Sequence, residues 1–193
     1  MITTKNANLA QRMRVFRNHG ITSDHRQRAE EGSWFYEMVQ LGYNYRLSDI
    51  QCALGISQLN RLPAWLARRR EIAHYYDAAF IEMPAIEILR VDDRVSHAYH
   101  LYVILLQLEQ LRVSRSEIFA AFRAEGIGVN VHYIPVHLHP FYRQKFSTKE
   151  GICPVAEAAY ERIVTLPIFP AMSDSDVEDV ITAVGKVVFA YLR

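Results

Sequence analysis

Three short segments of this chain carry residue types that could hold or transform a ligand. In Gly42-Tyr43-Asn44-Tyr45-Arg46 a loop leads directly into a helix start marked by Ser48 and Gln51. Unpaired backbone N–H groups and the helix dipole favour an anion at such a place. Asn44 can donate an amide hydrogen bond there, and Arg46 can fork onto a phosphate or a carboxylate. The same spacing suits a plain turn closed by Asn44, with Arg46 paired to a surface acid. The second segment, Asn130-Val131-His132-Tyr133-Ile134-Pro135-Val136-His137-Leu138-His139, alternates apolar and polar residues from Ile127 to Tyr133. In a strand this places Asn130 and His132 on one face and Ile127, Val129 and Val131 on the other. Two polar groups on one face of a core-like strand make either a ligand wall or a solvated edge. His132, His137 and His139 offer imidazole nitrogens, but no carboxylate or thiolate lies beside them and their spacing fits no helical metal motif, so no metal site is expected. The third segment, Arg68-Arg69-Arg70-Glu71, fans its cations around a helix and reads as a solvated face with ion pairs. His97 and His100 stand at the start of an expected strand, where their spacing splits them between faces.

The supply of amines is narrow. Of 22 basic residues 18 are arginines, leaving Lys5, Lys145, Lys149 and Lys186 as the places where lysine chemistry could occur. Lys5 stands at the start of the first helix, Lys145 and Lys149 in a polar stretch after Pro140, and Lys186 on the last helix. None has the apolar, aromatic surroundings that would desolvate an amine. No Gly-rich phosphate loop, nucleophile elbow or cysteine–histidine pairing occurs, and Cys52 and Cys153 are too few for a disulfide framework.

The elements that must position these groups are marked mostly by caps. Asn6 opens a helix through Leu9, Met13 and Phe16, with Gly20 as its stop. From Ile21 to Gly42 no period holds, which predicts a loop. Ser48 and Gln51 form a capping box for a helix with Ile50, Leu54 and Leu59 inward. Pro63 suits a first helical turn, and Leu62, Leu66, Arg69, Ala73, Tyr76 and Phe80 then predict a long helix ending near Pro84. Strands are expected at 86–91, 99–106, 127–133 and 166–169. Helices capped by Ser114 with Glu117, begun by Pro154, and opened by Ser173 complete an α+β second half. The first half has helices and a loop but no sheet, so it needs a further surface to pack on.

Composition excludes several classes. At 193 residues, 50% hydrophobic, a chain can bury a substantial core. Its 22 basic and 21 acidic residues lack the excess of a nucleic-acid binder. No apolar run approaches the roughly 18 residues of a membrane span, and no secretory leader is visible. A cytoplasmic globular protein is expected.

Longer stretches point to one family. Leu41 to Gln51, Ala53-Leu54-Gly55, Gln58-Leu59, Arg69 to Ala73, Ala98-Tyr99-His100-Leu101-Tyr102, Gly126 to Tyr133, Cys153 to Glu157 and Leu166 to Pro170 together closely resemble the DegT/DnrJ/StrS-type nucleotide-sugar aminotransferases, in the family's order along essentially the whole chain. Within the family the resemblance is strongest to the pseudaminic-acid pathway transaminases, which aminate C4 of a UDP-linked 4-keto-6-deoxy sugar. It implies an α/β protein, the C-terminal part of a fold-type-I aminotransferase that depends on pyridoxal 5'-phosphate. Residues 1–60 would be a remnant of the large cofactor domain, 61–84 a long interdomain helix, and 85–193 a small α+β domain. It further implies a homodimer with active sites at the subunit interface, a UDP-sugar substrate and glutamate as amino donor. Asn44 would reach across the dimer to the neighbouring subunit's cofactor phosphate. Arg46, Asn130, His132, Tyr133 and His137 would contact substrate. The family's Schiff-base lysine would lie upstream of Met1, so this chain would supply no catalytic residue and by itself would be inactive. Two other readings share the scaffold. One is half of a sugar dehydratase, with histidine in place of the lysine; the other is a non-catalytic sugar-nucleotide-binding or dimerisation relic.

Overall fold

The computed structural model describes residues 2–193 and divides into two compact units, 1–60 and 61–193. In the first unit, helix α1 (Ala7–Phe16) is capped by Asn6, whose Oδ1 accepts the Leu9 N–H at 3.0 Å, the bond that asparagine supplies to an otherwise unpaired first-turn donor. Past the helix, residues 16–22 zip against 37–45. The Tyr43 N–H donates to the Phe16 carbonyl (2.8 Å), the His19 N–H to Tyr43 (2.9 Å) and the Tyr45 N–H to Arg17 (2.9 Å). This approach requires two glycines. A Cβ at Gly20, whose φ is +74°, would fall 1.7 Å from the Gln40 oxygen, and one at Gly42 would fall 2.1 Å from the Gly20 nitrogen. The expected loop 21–42 also contains a short helix, α2 (His25–Glu30). Its six residues have no apolar period, and what holds it is the reciprocal exchange between Asp24 and Gln27.

Helix α3 (Asp49–Phe80) opens with the expected Ser48–Gln51 exchange but does not restart at Pro63. It is one helix of 32 residues that carries Pro63 inside, where exposure leaves the carbonyl that proline cannot pair open to solvent. It ends at Phe80, short of Pro84. Its first half does not face inward: Ile50, Leu54 and Leu59 are exposed, Ile50 by 84%. The periodicity marks an apolar face correctly, but burial also needs an opposing surface. Only the end of the helix has one, where Ile72, Ala73, Tyr76 and Phe80 are buried.

The second unit is built around an antiparallel sheet in the order β1 (Ile86–Ile88), β2 (Tyr102–Leu106), β3 (Ile163–Leu166). Its register pairs Ile86 with Leu106 and Ile104 with Val164. The strands are shorter than their apolar runs. The third, expected at 166–169, lies at 163–166 and stops before Pro167, because proline cannot donate to the ladder. The expected strand 127–133 is absent; the backbone of the segment pairs with the sheet at the isolated Asn130–Thr165 bridge. Its alternation is nonetheless real, since Ile127 and Val129 are buried beneath it.

Helix α4 (Arg115–Ala124), with the capping box of Ser114 and Glu117, and helix α7 (Asp174–Tyr191), with that of Ser173 and Asp176, complete the core. Ile118 and Phe122 meet Val177, Val180, Val184 and Val188 there, together with the sheet and the end of α3. Helix α5 (Pro140–Phe146) occupies the stretch read as polar, and α6 (Pro154–Arg162) has Pro154 in its first turn, as expected. Among the described residues no helix is long and apolar enough to cross a membrane.

Candidate functional site

In the first unit the loop before α3 is drawn onto the end of α1. Asn44 bridges Asn18 through its backbone, so its carboxamide is left exposed and makes no hydrogen bond among the described residues. Arg46 donates from Nη1 to Oδ1 of the buried Asn18. Its partner is therefore a neutral amide, not the surface acid of the plain-turn reading, and its positive charge is left uncompensated. A cavity of about 80 Å³ beside it is lined by Arg14, Arg17, Asn18 and Thr22 as well as Arg46, and also by the Asp24 carboxylate; Asn44 does not line it. Cations with spare charge and an unspent amide are what an anionic group requires.

In the second unit the structure treats Asn130 and His132 differently, so they do not share one polar face. Asn130 is exposed, and its Oδ1 turns back to accept the Val131 N–H at 2.8 Å. His132 is half-buried, with Nδ1 3.0 Å from the Thr165 hydroxyl and Tyr133 edge-on at 4.6 Å. Tyr133 itself is 69% exposed. His137 points elsewhere. Its Nε2 lies 2.7 Å from Glu157 Oε1, and that carboxylate also accepts the Gly151 and Cys153 N–H groups. The Gly151 N–H, then His137, hold the Glu157 carboxyl below its ordinary range. Thr148 adds a bond to the His137 carbonyl at 2.7 Å. His137 is thus a clamp on the 147–153 turn. Thr165, Glu157 and Thr148 were not singled out in the sequence. The available signals were a lone hydroxyl inside the apolar run Ile163-Val164-Thr165-Leu166 and an acid in the first turn of α6.

The arginine run is in part the expected solvated, ion-paired face, since Arg70 is exposed and Arg68 pairs with Glu71 and Asp174, but its cations also bond backbone carbonyls. Arg68 reaches the Met172 carbonyl, Glu71 and Asp174. Arg69 donates to the carbonyls of Tyr99, His100 and Ile168, and Arg70 to the His97 carbonyl and Ser96 hydroxyl. Together the three cations fasten two segments: Arg69 and Arg70 hold 96–100, and Arg68 and Arg69 hold 168–174. His97 and His100 lie in the first of those segments, ahead of β2, rather than in a strand. The buried Tyr102 and Tyr76 hydroxyls donate to Asp77 Oδ1 (2.7 Å) and the Pro167 carbonyl (2.9 Å), and burial pushes both pKa values up. They anchor structure and are poor proton donors. All four lysines are exposed; Lys186 pairs with Glu125 at 2.7 Å and Lys145 lies against Phe141. Among the described residues no group of three histidine, cysteine or acidic side chains could hold a metal ion.

The same fold occurs in solved sugar aminotransferases. PseC of Helicobacter pylori, an aminotransferase of pseudaminic-acid biosynthesis, aligns with a TM-score of 0.84 and 28% identity, over 97% of this chain and 48% of its own. A Streptococcus pneumoniae protein, solved in PLP and PMP forms, aligns at 0.82 with 29% identity over 98% of this chain and 46% of its own. The architecture is therefore that of part of a fold-type-I aminotransferase, α/β in class, with a small sheet and packed helices following a long helix. The chain belongs to the DegT/DnrJ/EryC1/StrS aminotransferase family, which it matches over residues 1–185, and the family depends on pyridoxal phosphate. SpsC of Bacillus subtilis, a spore coat polysaccharide biosynthesis protein, is 43% identical over 190 residues, 97% of this chain and 49% of SpsC. The chain spans about half the length of the curated relatives it matches.

Proposed function

We propose that this chain supplies the substrate-binding C-terminal half of a pyridoxal-phosphate-dependent sugar aminotransferase. Its substrate is a UDP-linked 4-keto-6-deoxy sugar, its amino donor is glutamate, and its setting is surface-polysaccharide or nonulosonic-acid biosynthesis. On this reading residues 1–60 belong to the cofactor domain, 61–84 to the interdomain helix and 85–193 to the small domain. The working form is a homodimer. The observation that carries the reading is, in a chain of this family, the exposed, unspent Asn44 amide with the spare charge of Arg46 in the first unit; the second unit by itself offers His132 and Tyr133.

The residues present fit the phosphate end of the cofactor and not its aldehyde end. Asn44 would hold a phosphate oxygen, in the neighbouring subunit, and no lysine of this chain stands in the desolvated setting that a Schiff base needs. When bound, pyridoxal phosphate supplies the electron sink for exchange of an amino group. The tasks left to this chain are orientation and electrostatics. Arg46 neutralises phosphate charge, while His132, Tyr133 and Asn130 receive the sugar. His137 works at one remove, by fastening the 147–153 turn.

Titration of the protein with a UDP-linked sugar, by calorimetry, tests the substrate wall. His132→Ala is expected to weaken binding by about tenfold or more, the loss of one good hydrogen bond. An unchanged dissociation constant in a folded variant contradicts the assignment.

A further inference from the structure

We infer that Thr165 fixes the tautomer of His132, so that the histidine presents Nε2–H, a hydrogen-bond donor, to an oxygen acceptor on its ligand. Thr165 lies in β3 between Val164 and Leu166, both sealed from solvent, and is itself only 4% exposed. Both of its backbone groups are spent on Asn130: the Thr165 N–H donates at 2.7 Å and its carbonyl accepts at 3.2 Å. The hydroxyl has one partner, His132 Nδ1 at 3.0 Å, and no buried side-chain nitrogen or oxygen among the described residues is left without one.

A hydroxyl carries one proton to give and two lone pairs that can stay idle at small cost. If the imidazole donated from Nδ1, the Thr165 proton would be buried with nowhere to go, which is the expensive outcome. If the hydroxyl donates to Nδ1, every demand is met and the ring proton moves to Nε2. Thr165 is thereby a positioning residue for His132. It holds the ring plane through Nδ1, Tyr133 holds the ring face edge-on, and Nε2 makes no hydrogen bond among the described residues. An outward N–H selects an acceptor, of the class of a keto, hydroxyl or phosphate oxygen. It rejects a ligand that can only donate at that point. The tautomer follows from Thr165 alone, whereas its use on a sugar oxygen rests on the proposed function.

Nitrogen-15 NMR of the imidazole ring in the 193-residue chain, at a mildly alkaline pH where histidine is neutral, reads the tautomer directly. The expected result is a single tautomer with Nε2 protonated and Nδ1 accepting. Thr165→Val, which keeps the β-branched shape that suits a strand, is expected to relocate part of the proton to Nδ1, and Thr165→Ser to preserve the native pattern. A native ring protonated at Nδ1 overturns the inference. So does a folded Thr165→Val variant whose ring signals match the native ones. If the valine variant does not fold, Thr165→Ala takes its place, with the same expected redistribution and the same contradicting result. An Nε2–H ring together with His132→Ala binding the UDP-sugar unchanged would refute the sugar wall while leaving the Thr165 assignment standing.

Discussion

The two units of this chain are held together by different physics. In residues 2–60 only Asn18 and Gly20 are buried, and α1 and α2 bury nothing. That unit keeps its shape through local bonds: helix caps, a ladder between 16–22 and 37–45, and two glycines that let the strands of the ladder meet. Its large side chains, Trp34 and Ile50 among them, face solvent at 84% each. In residues 61–193 the order is reversed. Apolar side chains from α3, the sheet, α4 and α7 fill one core, and polar groups fasten loops around it. Backbone bonding can define a conformation, but removal of apolar area from water supplies most of the stability. The second unit should therefore resist change at its surface and suffer from change in its core, and the first should respond to neither in proportion to side-chain size.

The largest effect expected is at Phe122, fully buried where α4 meets the core. Phe122→Ala should lower unfolding stability by about 3–5 kcal/mol in urea denaturation. Leu54→Ala, at a comparably apolar but 61% exposed position of α3, should change it by less than about 0.5 kcal/mol. Equal losses at the two sites would erase the contrast between the units. A smaller loss is expected at Arg69, whose single guanidinium fastens three carbonyls. Arg69→Ala should cost about 1.5–3 kcal/mol by the same measurement, and Arg69→Lys should restore part of it, because all three bonds leave one nitrogen, Nη1, which an ammonium with three N–H donors can imitate. The subtlest effect is one of pH. Glu157 titrates below its ordinary value of 4.5, first because of the Gly151 N–H and then because of His137. A lowered folded-state value means that the clamp contributes fully above pH 4.5 and is lost as the pH falls through that lowered value. The protection factors of the Gly151 and Cys153 amides, exchange measured against the intrinsic rate at the same pH, should fall on acidification in that window. In Glu157→Gln the exchange should be faster at neutral pH and lose this dependence.

What could be read from the sequence divides along the same line as the two units. Caps are local, and those at Asn6, Ser48, Ser114 and Ser173 appear in the structure where the residues put them. Helix α2 escaped because its period is polar, although Asp24 and Gln27 carried the same signal. Pro63 read as a helix start because a proline's local preference does not reveal whether the helix is already under way. The strand ends and the 127–133 segment were misjudged because an alternating pattern reports burial, and pairing depends on a partner far along the chain. Asn44, Arg46 and the 130–137 group were visible as chemistry, and their grouping came from the family resemblance. Thr165 and Glu157 are bound to His132 and His137 across 33 and 20 residues, a separation no local pattern encodes. The arginines were legible as cations and not as fasteners for the same reason.

The central claim is that this chain binds and orients within a sugar aminotransferase while none of its own lysines forms the Schiff base. Incubating the 193-residue protein with pyridoxal phosphate, reducing with borohydride and mapping the product by peptide mass spectrometry tests it directly. The account predicts no stoichiometric adduct at Lys5, Lys145, Lys149 or Lys186, only scattered substoichiometric labelling of the kind exposed amines give. A stoichiometric adduct at one of these lysines, with turnover of a 4-keto sugar nucleotide by the same protein, would contradict it.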